Sequence, residues 1–326
     1  MIITLTLNPS IDRELAVQGE LERGGVRGYR RLGDQAGGKG VNVARAVGGA
    51  GLEAVAILPA PPHDPFVQLL EGAPMRVHAV PSSAPVRINL TLTELDGTTT
   101  KLNAAGERLD LAVEELLIDA LLAERRAHWV VLAGSLPAGS DPALYAQIVA
   151  RLRAARPGVR IAVDTAGAPL AAIVRADARV DLVKPNAHEL AELLGDAAEG
   201  DALEADPAAA ALAARRLLDD HAGLGAVLLT LGGGGAVLVT RAGSWRGVHP
   251  PVAVRSTVGA GDSALSGYLI AAERDLPEPD RLAWAVAYGA AAVSLPGSEI
   301  PKIEQVDPSL VTTTPLPAPA AEPSEG

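Results

Sequence analysis

The chain has 326 residues, 48% apolar and 21% charged, which supplies a large core and excludes global disorder. Its 28 Lys and Arg against 39 Asp and Glu leave a net charge of −11, a balance that opposes nucleic acid or an anionic membrane as the main partner. Cysteine is absent, which excludes disulfides, thiolate metal sites and a Cys nucleophile.

Ile2–Leu7 reads as the first strand. Its flank carries no basic region of the kind that opens a signal peptide, and no apolar run approaches the roughly 18 residues of a membrane span, so the expected compartment is the cytoplasm. Arg13–Asp34 alternates polar with apolar residues and contains no helical pattern. Ala54–Leu58 is a second buried strand. Val86–Leu102 repeats the alternation, most clearly in VRINLTLTEL. From there the rhythm changes to helix and strand in turn: Leu111–Arg126, Trp129–Ala133, Ala143–Arg153, Arg160–Asp164, Leu182–Lys184, Ala208–His221, Ala226–Leu231, Gly235–Thr240 and Ser263–Glu273.

Strands separated by helices predict an α/β fold with a mainly parallel sheet covered on both faces. The two alternating segments, about 13–34 and 86–102, predict antiparallel strands with one face exposed. They are expected to form a small second sheet, discontinuous in sequence, that serves as a lid or a dimer contact. Residues 1–310 are expected to make one domain. The tail from 311 to 326 is Pro-rich and expected to be disordered.

Ligands of open α/β sheets bind beyond the carboxyl ends of the strands. The unusual residues of this chain cluster there: Asn8-Pro9-Ser10-Ile11-Asp12, Gly134-Ser135-Leu136-Pro137, Lys184-Pro185-Asn186-Ala187-His188-Glu189 and Thr230-Leu231-Gly232-Gly233-Gly234-Gly235. Each alone also reads as ordinary turn chemistry. The sharpest signal is Ser256-Thr257-Val258-Gly259-Ala260-Gly261-Asp262-Ser263, which runs into a helix. Small residues at a helix start let backbone N–H groups approach an anion, and a carboxylate there can take a proton from an attacking hydroxyl. Asp262 as a plain N-cap is the alternative. Ala36-Gly37-Gly38-Lys39-Gly40-Val41-Asn42 opens another helix without the Walker A spacing. It reads as a polar-ligand cradle or as a helix-start turn with a solvated lysine. Asn186 and Glu189 have the spacing of a capping box, and equally of a carboxylate near the water shell of Mg2+. The His residues have no metal-ligand spacing, so no zinc site is expected.

Taken in order, NPxxD at Asn8–Asp12, GGKGxNVAR at Gly37–Arg45, RIN at Arg87–Asn89 and GSLPxG at Gly134–Gly139 resemble the ribokinase-like sugar kinases of the phosphofructokinase B (PfkB) branch. VDT at Val163–Thr165, KPNxxEL at Lys184–Leu190 and STVGAGDS at Ser256–Ser263 extend the resemblance over about residues 1 to 305. Within the branch the likeness is greatest to the bacterial 1-phosphofructokinase and tagatose-6-phosphate kinase groups.

The resemblance implies a three-layer α/β/α body with a β-sheet lid, a homodimer formed through that lid, and ATP with Mg2+ as nucleotide and metal. It implies Asp262 as general base, with the amides of Gly259, Ala260 and Gly261 as the anion hole. Asp12, Gly38, Asn42 and Ser135 would contact the sugar, and Lys39 and Arg87 its existing phosphate. Lys184 and Asn186 would lie near the ATP phosphates, with Thr230, Gly232 and Gly235 at the nucleotide. Glu189, with Asn186, would organise Mg2+ through water. The implied reaction is phosphorylation of a ketohexose phosphate: fructose 1-phosphate first, with tagatose 6-phosphate or fructose 6-phosphate as alternatives. A sugar-phosphate-binding regulator on the same fold is the reading from another class.

Three segments depart from the family pattern, all toward the acceptor. Ile57–Pro65 carries prolines where relatives have a glycine-rich turn, so this loop must run differently. Thr100-Lys101-Leu102-Asn103 has a base where an acid is usual. Val26-Arg27-Gly28 has its arginine one position early.

Overall fold

The computed structural model describes residues 1–317. The first strand, β1 (Ile2–Leu5), leads into β2 (Ser10–Val17), β3 (Tyr29–Gly37) and helix α1 (Lys39–Gly49). Next come β4 (Ala54–Ala60), the short α2 (Pro65–Leu69), β5 (Arg76–Pro81), β6 (Arg87–Thr93) and β7 (Thr99–Leu102). Then α3 (Leu111–Ala123), β8 (Trp129–Ala133), α4 (Leu144–Ala155), β9 (Arg160–Asp164), α5 (Gly167–Arg175), β10 (Leu182–Val183) and α6 (Ala187–Leu193) alternate. The last third holds α7 (Gly200–Ala205), α8 (Pro207–Asp220), β11 (Ala226–Thr230), β12 (Ala236–Thr240) and β13 (Gly243–Val248). Helices α9 (Ala260–Glu273) and α10 (Glu278–Val293) and strand β14 (Thr312–Pro315) follow.

Ten strands form one sheet in the order β14-β13-β12-β11-β10-β9-β8-β1-β4-β5, parallel from β5 to β11 and antiparallel beyond. The pleat sends alternate residues to opposite faces. Ile3, Leu5, Val130, Leu132, Ile161 and Val163 pack on one side, with side chains of α3, α4, α5, α6 and α8. Ile2, Ala54, Ala56, Val131, Ala133 and Ala162 pack on the other, under α1, α9 and α10. The alanines on that second face leave room for the helices that carry the candidate site.

The second sheet is β3-β2-β6-β7. Each alternating segment is an antiparallel pair, as the sequence suggests, but β2 and β6 join the pairs in parallel register from Ser10↔Arg87 to Ala16↔Thr93. Alternation reveals which face is buried, not which strand is the neighbour. The sheet also begins earlier and ends later than expected, reaching Ser10 and Gly37.

The tail departs from expectation up to Pro317. Thr312–Pro315 pairs antiparallel with Trp245–Val248 as the edge strand of the main sheet, because its Thr run offers backbone groups to an open edge. The rest of the expected disordered segment, 318–326, lies outside the described residues.

The proline-rich loop runs from the end of β4 into α2. Strand β4 continues through Pro59, and Asp64 caps α2 by accepting from Phe66 N at 2.9 Å. The same carboxylate accepts from Val86 N at 3.1 Å, which fastens the loop to the entrance of β6. Asp64→Ala strands a buried N–H as well as losing a cap, and is expected to lower unfolding stability by about 1–3 kcal/mol in chemical denaturation.

Candidate active site

The rim at the carboxyl ends of the parallel strands collects Asn8 after β1, Ser135 after β8, Asp164 at the end of β9, Lys184 after β10 and Thr230 at the end of β11. Helices α1 and α9 pack against each other and bring their amino ends to the same place. Three charged side chains meet there. Asp164 is fully buried; Lys39 Nζ lies 2.7 Å from its Oδ1 and Lys184 Nζ lies 3.3 Å from its Oδ2.

Burial alone would raise the Asp164 pKa, but Lys184 and then Lys39 outweigh it and hold the carboxyl below its ordinary value. Burial would likewise lower the Lys39 pKa. The Asp164 carboxylate, with Asp262 and Glu189 more distant, keeps it raised. A carboxylate with a depressed folded pKa stabilises the protein fully above the unfolded value of about 3.9 and loses that contribution as pH falls. Asp164→Asn would leave two ammonium groups without their counter-charge. The expected loss is roughly 3–5 kcal/mol at neutral pH, read by urea denaturation.

Asp262 sits in the first turn of α9, 7% exposed. Asn42 Nδ2, one turn into α1, donates to its Oδ2 at 2.8 Å. The other oxygen, Oδ1, accepts from no group among the described residues and keeps some contact with solvent. Burial and then repulsion from Asp164 raise the Asp262 pKa, against the smaller opposing effects of Lys39, Asn42 and Lys184. The N-cap role does not fit: the cap position is Gly259, in the left-handed region at φ 75°, with no side-chain cap bond. The first N–H groups of a helix have no intrahelical partner, so the Gly259-Ala260-Gly261 turn presents free donors beside the carboxylate. A Cβ at Gly261 would lie 3.2 Å from Lys184 Nζ, so this ammonium borders the same turn.

On the nucleotide side, Asn186 and Thr230 form a parallel bridge and Thr230 N donates to Pro185 O at 3.1 Å, which joins two of the expected clusters. Asn186 and Glu189 form the capping box: Asn186 Oδ1 accepts from Glu189 N at 2.8 Å and Glu189 Oε2 accepts from Asn186 N at 2.9 Å. That occupies the Asn186 acceptor oxygen. Gly232 is exposed at the mouth of the turn after β11. Gly235 has a packing reason to be glycine, since a Cβ there would strike Gly247 O on β13.

On the lid side, Asp12 Oδ1 accepts from Ser10 Oγ at 2.8 Å and from Asn89 Nδ2 at 2.9 Å. Any side chain at Gly37 would collide with this carboxylate. Asn8 Nδ2 reaches Ser135 Oγ at 3.2 Å and Ala105 O at 2.9 Å. Arg87 donates to Ala104 O at 2.7 Å, and its buried Nε has no partner among the described residues. Gly38 turns the chain at φ 110° and accepts from Asn42 N at 2.9 Å.

Lys39, expected beside the acceptor's phosphate, has its ammonium on the buried carboxylate of Asp164. Asp164 and Asn89 were not singled out from the sequence. The signal for Asp164 was an acid closing a buried strand, in Val163-Asp164-Thr165, and its partners stand 125 and 20 positions away in the chain. Lys101, Arg27 and their segments lie exposed on the lid, outside this cluster.

A glycine-bearing helix start, a carboxylate in its first turn and two lysines therefore meet at one rim of the sheet. The family model for pfkB carbohydrate kinases matches residues 7–305, and the chain belongs to that family. It is therefore a phosphotransferase acting on a hydroxyl, with ATP as the donor substrate. Among its relatives, a 1-phosphofructokinase of Xanthomonas campestris pv. campestris is 35% identical over 287 residues, 86% of this chain and 87% of that one. A 1-phosphofructokinase of Escherichia coli K12 is 33% identical over 298 residues, 90% and 91% of the two chains. The crystal structure of phosphofructokinase-2 from Escherichia coli with substrates and products superposes with a TM-score of 0.84 at 28% identity, covering 93% and 96%.

Because the Asn42 bond lowers the Asp262 pKa, its loss should raise that pKa further. In Asn42→Ala the acid limb of the kcat/KM profile is expected to move to higher pH. An unmoved limb in steady-state assays would remove Asp262 from the proton transfer.

Proposed function

We propose that the chain transfers the γ-phosphoryl group of ATP to the 6-hydroxyl of fructose 1-phosphate, giving fructose 1,6-bisphosphate and ADP in the cytoplasm. The observation that carries this reading is the Asp262 carboxylate, with Oδ2 tied to Asn42 and Oδ1 open beside the Gly259-Ala260-Gly261 turn. Oδ1 accepts the hydroxyl proton as that oxygen attacks the γ-phosphorus, and the bond to the β-phosphate oxygen breaks. The raised pKa makes Asp262 a stronger base than an ordinary aspartate. The free amides of the turn and the Lys184 ammonium meet the charge that spreads over the transferring group.

Lys39, held by Asp164, and Arg87 are the cations for the acceptor's own phosphate in this reading. The buried Nε of Arg87, without a partner among the described residues, is a donor that a phosphate oxygen would satisfy. Asp12 accepts from sugar hydroxyls, with Gly38, Asn42 and Ser135 around the ring. Asn186, Thr230, Gly232 and Gly235 shape the nucleotide end.

Mg2+ fits the residues only in a limited way. Among the described residues there is no group of three His, Cys, Asp or Glu that could cage a metal, and Glu189 uses one oxygen in its capping box. Its other oxygen suits a water-mediated Mg2+ site completed by the nucleotide phosphates. The ion, when bound, supplies charge neutralisation on those phosphates. The lid exposes Tyr29, Leu32, Ile88 and Leu102, an apolar surface suited to a second copy of this chain.

The names of the relatives and the assembled transfer centre favour a kinase over a regulator. Asp262→Asn is expected to keep affinity for a non-hydrolysable ATP analogue and to lower kcat by at least about 100-fold. An ADP-release assay across the three candidate phosphosugars should give the highest kcat/KM with fructose 1-phosphate. Sugar-phosphate binding with no turnover of any of them would favour the regulator instead.

A further inference from the structure

A second concentration of charge lies at the amino ends of the parallel strands, where β8 and β9 begin. An open pocket of about 500 Å3 is lined there by Arg125, His128, Arg156 and Arg160, with Gly158 and Val159 between them. In a chain of net charge −11, three arginines around one cavity are not explained by average composition.

The nearby acids are already engaged. Glu124 pairs with Arg76, and Glu53 with Arg126. Glu273 takes the Met1 amino group, Arg160 and His128 together. Arg125 and Arg156 make no ion pair among the described residues. Arg156 Nη2 donates to Ala127 O at 2.7 Å, but its Nη1 is buried with no partner. Burial, and then the charge of Arg125, both work against the protonated guanidinium. Two guanidiniums that repel each other across a cavity, one with an unused buried donor, are relieved by an anion that accepts several N–H bonds at once. Phosphate oxygens match that fork of donors, and the volume leaves space for a small body attached to the phosphate.

We propose that this pocket is a binding site for a phosphate-class anion, of the size of a pyrophosphate or a small phosphorylated metabolite, separate from the transfer centre. Arg125 and Arg156 are its principal donors, with Arg160 and His128 at its edge. The site stands at the amino ends of the strands whose carboxyl ends carry Ser135 and Asp164, about 15 Å of strand away.

The test uses inorganic pyrophosphate, titrated into protein saturated with a non-hydrolysable ATP analogue so that the transfer centre is filled. Calorimetry gives the affinity. Tryptophan fluorescence gives the location, because Trp129 is buried with the Arg160 guanidinium 4.7 Å from its ring, and Trp129→Phe should abolish the signal. Saturable binding is expected, weakened at least about tenfold in Arg125→Ala and in Gly158→Glu. Gly158 lies outside the left-handed region and a Cβ there meets nothing within 4 Å, so the acid enters the pocket without disturbing the fold. Both variants should keep the wild-type kcat/KM for ATP. Absence of saturable binding at millimolar pyrophosphate, or equal affinity in wild type and both variants, would overturn the assignment.

Discussion

The buried carboxylate of Asp164 between Lys39 and Lys184 is the interaction on which the site depends. A lone carboxylate at that depth would lose several kcal/mol of hydration, and so would the buried Lys184 ammonium. Together they hold one another ionised. The triad also has a geometric effect: it ties the end of β9, the segment after β10 and the start of α1 to one point. Helix α1 then carries Asn42 to Asp262, and with it the orientation of the group proposed as base.

The same triad sets the electrostatics of the transfer centre. Asp164 pushes protons onto Asp262, while the lysines pull the other way, and burial tips the balance toward a raised pKa. In the proposed reaction the donors at the helix start would meet negative charge beside a carboxylate that would otherwise repel it. Such a site needs the anion hole, the cations and the base held rigidly apart, since phosphoryl transfer depends on alignment and charge more than on covalent help. Rigidity comes from packing: α9 lies on a sheet face floored with alanine, which lets the helix approach closely.

The side proposed for the acceptor is built differently. Its residues come from the lid sheet and from loops, and Asp12 is held by short bonds to Ser10 and Asn89 within that sheet. The proline-bearing loop is fastened to β6 through Asp64, so the segment that departs most from the family pattern is anchored to the strand carrying Arg87. Changes in acceptor preference can therefore arise there without disturbing the transfer centre.

Much of this was legible in the order of residues. Buried strands alternating with amphipathic helices require a covered parallel sheet, and Gly-Ala-Gly-Asp opens a helix with small residues beside a carboxylate. Both signals are local, because periodicity and φ preferences act over a few residues. What the order of residues did not decide was which distant groups would meet. Lys39 met Asp164, β2 took β6 as a parallel neighbour, and the Thr run at 312–315 joined an open edge. Asn42 and Asp262 touch across 220 positions. Charge pairing and strand pairing depend on distance in space, which only the packed sheet and helices bring about.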